Sequence, residues 1–156
     1  LNIDFKKSEE KLTRKINDVP MILSSTTFMI PAITYYYQTD MIGCILFGCI
    51  TCTSVIADGI YIHHPVYNIC DVYLATICYT YVGYSILIPA YYFNYIYFLT
   101  QLIVFFVPLI FIYKSRMHTT GSHKWRIWHI CWHICASLLC SGSLLFYKHT
   151  KRNLHA

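Results

Sequence analysis

Long apolar runs separated by short polar breaks dominate the chain from residue 21 onward, and their lengths predict membrane-crossing helices. Asp18 and Pro20 announce a helix start, and the run from about Met21 to Tyr37 predicts a first span with Pro31 as its kink. Gln38-Thr39-Asp40 is a short connection, so the second span, about Met41 to Ala57, must lie antiparallel beside the first. Gly43, Cys44, Gly48, Cys49, Thr51 and Ser54 fill that second span with small residues, which let backbones approach closely in lipid and place it centrally. Pro65, within "IYIHHPVYNICD", ends any helix before it, and a third span runs from near Asp71 to about Ile88. A turn near Pro89 leads into a fourth span, about Tyr91 to Tyr113, and the fifth covers about Trp125 to Phe146. The expected class is an all-α, polytopic transmembrane helical bundle of about five spans. It occupies residues 21–147, between a polar N-terminal tail or surface helix (1–20) and a basic C-terminal tail (148–156).

Composition sharpens this picture. Of 156 residues, 56% are apolar and 12% charged, about half the charged share usual in soluble domains. No Asp, Glu, Lys or Arg occurs between Asp71 and Lys114, a stretch with room for two spans. The net charge of +5 comes from clusters that flank the apolar runs, so it carries topology information and attraction to lipid headgroups rather than a nucleic-acid footprint. The expected localisation is integral and multi-pass, with membrane lipids as partners. The positive-inside rule puts the N-terminus and the 114–126 loop on the cytoplasmic side. Eight cysteines do not imply a disulfide framework, because most sit inside apolar runs where a thiol is a small hydrophobe. Cys49 and Cys52 form a CxxC that lacks the second pair of a zinc ribbon.

Five spans have a consequence that is independent of orientation. The end of the second helix, the start of the third, the end of the fourth and the start of the fifth share one membrane face. Asp58, His63, His64, Asp71, His118, His123, His129 and His133 are thereby gathered at one level. Within "WHICWHIC", His129 and His133 stand four apart, roughly 40° from each other on a helix, the spacing by which one helix offers two imidazoles to one metal ion. Trp and His at a membrane boundary also serve as an interfacial belt, which is the bland reading of the same motif. Asp71 adds weight to the metal reading, because an acid inside an apolar segment costs a few kcal/mol and is retained for a partner or a function. As a helix cap it would have a structural role instead.

Ser54, Asp58, Asp71, His129 and His133 together give a pattern that resembles the membrane hydrolase superfamily of alkaline ceramidases, progestin and adiponectin receptors and Per1-like proteins. In that superfamily a serine and, four residues later, a histidine end the second helix, an aspartate begins the third, and HxxxH lies on the last. The resemblance implies zinc held by three histidines, here His129 and His133 with a third ligand. It also implies roles for Asp71 on the attacking water and Ser54 as an oxyanion donor, and hydrolysis of a lipid amide or ester. The chain departs from the family at two points. Asp58 stands where the third histidine would be, so the third ligand is either that carboxylate or an imidazole from His63 or His64. Five spans are expected where the family has seven. The rival readings are a non-catalytic membrane protein whose polar cluster is structural or only binds metal, and a small channel or transporter subunit.

Overall fold

A computed structural model describes residues 17–154, with side chains described as far as Lys148. Most of the expected N-terminal tail, residues 1–16, lies outside the described residues, as do His149 and His155 as side chains. Every regular element among the described residues is a helix, as the hydrophobic pattern requires. Its elements are α1 (Val19–Thr26), α2 (Met29–Tyr37), α3 (Met41–Ser54) continued by a π-helical turn (Val55–Ile60), α4 (Pro65–Phe93), α5 (Tyr95–Arg116) and α6 (His123–Leu154). Each long helix packs on its sequence neighbour, and α6 closes the ring against α1 and α2.

Four helices are long and apolar enough to cross a membrane: Met41–Ile60, Pro65–Phe93, Tyr95–Arg116 and His123–Lys148. The first expected span is instead two short helices. The break falls at Thr27–Phe28, one turn before the proline expected to cause it. Pro31 has no N–H to give the Thr27 carbonyl and its ring crowds that carbonyl, so the ladder fails at the residue four positions back. Asp18 caps α1 as its sequence position suggested, its side chain accepting from the Met21 N–H.

Two boundaries differ from the sequence reading. The turn expected near Pro89 lies at Asn94, and Pro89 is inside α4. Asn94 is extended, and its side-chain oxygen accepts from the N–H groups of Ile96 and Tyr97, so it supplies the cap that starts α5. Pro89, like Pro108 in α5, leaves its helix continuous, which a membrane helix tolerates when neighbours re-satisfy the freed carbonyl. At the other end of α4, Pro65 occupies the first turn, where its missing N–H is harmless. Asp71 therefore sits in the second turn of α4. The helix α6 also runs through Leu154, so the basic residues 148–152 continue it rather than follow it.

The interior has two apolar parts. Phe28, Tyr35, Phe47, Ile50, Val82, Ile86, Cys140 and Leu144 form the larger core. Met21, Ile62 and Trp125 form a smaller one near the start of α6. Outside, Ile42, Ile45, Ile77, Ile103, Ile110 and Leu138 are exposed, an apolar periphery suited to lipid rather than water. All eight cysteines are free thiols.

Gly59 fixes how α1 lies against the π turn. A Cβ there would stand 2.4 Å from Ile22 Cγ1 and 3.3 Å from the Ile22 backbone, and the Gly59 carbonyl accepts from the Asp18 N–H at 2.7 Å. Gly59→Val is expected to cost about 1–3 kcal/mol through overpacking. Thermal unfolding in detergent should show a lowered Tm for that variant. Gly48→Ala, where nothing lies within 4 Å, should leave Tm unlowered.

Candidate metal centre

The π turn carries Asp58 inward from the end of α3, and α6 presents His129 and His133 one turn apart toward it. A π turn inserts backbone out of phase with the α ladder and so re-aims the side chains that follow, a device common at functional sites. Here Ser54 faces α4 while Asp58 faces α6. The three side chains are buried, with His133 only 1% exposed.

Asp58 Oδ2 stands 3.0 Å from His129 Nε2 and 3.4 Å from His133 Nε2. One donor atom from each residue falls within 4.8 Å of the others. These separations are those of an imidazole–carboxylate ion pair, and they are also close to the roughly 3.3 Å between ligand atoms that share one tetrahedral ion at about 2.0–2.1 Å. The imidazole rings are perpendicular, with centroids 4.7 Å apart.

The other ring nitrogens face hydroxyls. His129 Nδ1 is 3.1 Å from Ser115 Oγ, at the end of α5. His133 Nδ1 is 3.0 Å from Ser24 Oγ and 3.4 Å from Ser25 Oγ, both on α1. Ser24 Oγ also lies 2.9 Å from the Met21 carbonyl, which takes its proton when His133 Nδ1 carries a proton of its own. In that tautomer the His133 Nε2 lone pair meets a carboxylate oxygen, and a metal ion or a proton between them relieves the repulsion. Convergence of three donors from two elements, with a hydroxyl orienting each imidazole from behind, is the arrangement by which proteins hold metals. The residues present thus could hold a metal ion.

Asp71 lies beside this cluster on α4. Its Oδ1 accepts from Ser54 Oγ at 2.5 Å, and Thr53 Oγ1 is 3.2 Å away. Its Oδ2 makes no hydrogen bond among the described residues. Asp58, Asp71 and His129 line one cleft of about 410 Å³, whose other walls include Val72, Ala75, Tyr79, Leu109, Ile112 and Trp132.

The histidines considered as alternative third ligands are not in the cluster. His64 packs its ring between Tyr61 and Tyr67, with centroids 6.4 and 4.4 Å away. His63 lies against Gly121, whose φ of +82° and missing Cβ bring the α5–α6 turn close to its ring. Both precede Pro65 in the loop between the π turn and α4. Ser54, expected as an oxyanion donor, gives its proton to Asp71 Oδ1 in this structure. Ser24, Ser25 and Ser115 had no place in the sequence reading. Their only signal was hydroxyls inside or bordering an apolar run, which many membrane helices share.

No protein-family model, no curated protein and no solved structure matches the chain. What the fold and site define is a class: an all-α bundle with membrane-spanning lengths and a buried carboxylate–imidazole cluster able to hold a metal ion.

The hydroxyl behind His133 gives a direct prediction. Ser24→Ala removes the acceptor that fixes the Nδ1–H tautomer, and loss of such a partner typically weakens metal binding by about 10–100-fold. Chelator competition should record that drop. Thr26→Ala, an exposed hydroxyl bonded only to the Leu23 carbonyl, should leave affinity unchanged.

Proposed function

We propose that the chain is a metal-dependent membrane hydrolase that cleaves a lipid amide or ester, with zinc held by Asp58, His129 and His133. The observation that carries this reading is the convergence of buried donor atoms from Asp58, His129 and His133 beside a cleft that also holds Asp71. When bound, zinc would supply Lewis acidity toward a carbonyl and a water acidic enough to react near neutral pH.

The chain's own groups account for the rest. Ser54 and Thr53 fix Asp71 through Oδ1, leaving Oδ2 toward the cleft to take the proton of the attacking water. The same oxygen returns that proton to the departing amine nitrogen or alcohol oxygen, so water is divided between an acid and an amine or alcohol. Val72, Ala75, Leu109 and Ile112 offer apolar walls to the chain of a lipid and limit water around the carboxylates. The broken pair α1–α2, packed along α3 and α6, completes five crossings, with the N-terminus and the α5–α6 turn on the cytoplasmic face.

The test is hydrolysis by zinc-loaded protein in detergent, offered long-chain fatty amides and fatty esters. Release of fatty acid that stops on chelation and returns with zinc supports the proposal. Protein that binds one zinc per chain but cleaves neither class of substrate would leave the cluster as a structural metal site.

A further inference from the structure

Arg116, the last residue of α5, lines the same cleft as Asp58, Asp71 and His129. Its neighbour Ser115 touches His129 at 3.1 Å, so the guanidinium is rooted one residue from the cluster. It is exposed, and it makes no ion pair or hydrogen bond among the described residues. Nearby Arg126 is different, since Asp18 holds it at 2.6 Å. Neither carboxylate of the cleft pairs with it: Asp58 faces the histidines, and Asp71 accepts from Ser54. An unpaired guanidinium thus lines the cleft.

Arg116 is followed by the turn 117–122, and its exposed side chain stands at the open side of the cleft, whereas Asp58 and His129 are buried in its wall. Asn68 and Thr120 add polar groups to the cleft lining.

We infer that Arg116 selects a lipid with an anionic headgroup, a phosphate or a carboxylate, held at the mouth of the cleft while the scissile carbonyl lies below. The guanidinium fork matches either anion with two parallel hydrogen bonds, which an ammonium cannot do. The statement about the carbonyl rests on the proposed hydrolase reading, whereas the binding of the anion does not.

The experiment measures binding without turnover. Phosphatidic acid and diacylglycerol, identical except for the phosphate and each carrying a photoactivatable acyl chain, are crosslinked to the protein in phosphatidylcholine nanodiscs. Wild type should label with phosphatidic acid about tenfold more than with diacylglycerol, as one charge-assisted contact supports. Arg116→Gln should bring that ratio to about one, Arg116→Lys should keep part of it, and Lys114→Gln, a neighbouring cation outside the cleft, should keep all of it. Competition by inorganic phosphate would identify a site for the anion alone, and its failure a site that needs the lipid; both keep the anion at Arg116. Equal labelling by the two lipids in wild type, or an equal collapse in the Lys114 and Arg116 variants, overturns the inference. Selective labelling by a protein that hydrolyses nothing would instead contradict the hydrolase reading alone.

Discussion

Asp58→Ala is expected to empty the metal centre and abolish hydrolysis, with metal content falling from about one ion per chain to near zero. The carboxylate is the sole acidic member of the cluster, and without it two neutral imidazoles on one helix are left to hold a dication in a buried site. Structural zinc sites contribute folding energy through their ligands, so the variant should also melt earlier. Asp58→Glu, which keeps the charge but lengthens the side chain, should recover part of the metal and little of the activity, because cleavage needs the ion placed relative to Asp71. Elemental analysis and fatty-acid release, measured on the same preparation, check both halves of this expectation.

Asp71→Asn should have the opposite signature. The amide retains the shape and can still accept from Ser54, but it cannot take a proton from water. Loss of a positioned general base typically slows turnover by about 10²–10⁴-fold. Metal content should be unaffected, since Asp71 is not among the three converging ligands. Ser54→Ala, which only loosens the grip on Asp71, should slow turnover by a smaller factor with metal likewise retained. If Asp71→Asn lost its metal, Asp71 would be a ligand and the proton-transfer role would be wrong.

Much of this architecture was legible because lipid leaves few alternatives. A run of about 20 apolar residues has to be a helix, and the runs ending at Ala57, Tyr113 and Phe146 fall within helices of the structure. Connection length was equally informative at Gln38-Thr39-Asp40, where Thr39 adopts a positive φ and Asp40 caps the next helix through the Gly43 N–H. The turn was misplaced at Pro89 because a proline marks a missing donor, whereas the helix stops where Asn94 supplies a competing cap. The break in the first span was tied to the right residue and displaced by one turn, since proline acts on the carbonyl four positions back.

At the site, the spacing of His129 and His133 marked one face of α6 and Asp58 was one of the candidates to join them; the structure gathers these three side chains in one buried group. Which loop histidine would join them depended on a π turn and on aromatic packing around His64, neither of which has a sequence signature. The serines behind the imidazoles were illegible for a similar reason. Ser24 and Ser115 meet the α6 histidines only once α1 and α5 have packed, and hydroxyls that bond their own helix look the same in sequence.

The central claim is that Asp58, His129 and His133 form one metal centre. Metal analysis of protein purified in zinc-supplemented medium, in wild type and in the His129→Ala plus His133→Ala double variant, tests it most directly. One zinc per chain in wild type and none in a double variant that still elutes as a folded bundle is the predicted result. Wild type without stoichiometric metal, or a double variant that keeps it, would contradict the claim and leave "WHICWHIC" as an interfacial belt with a buried ion pair.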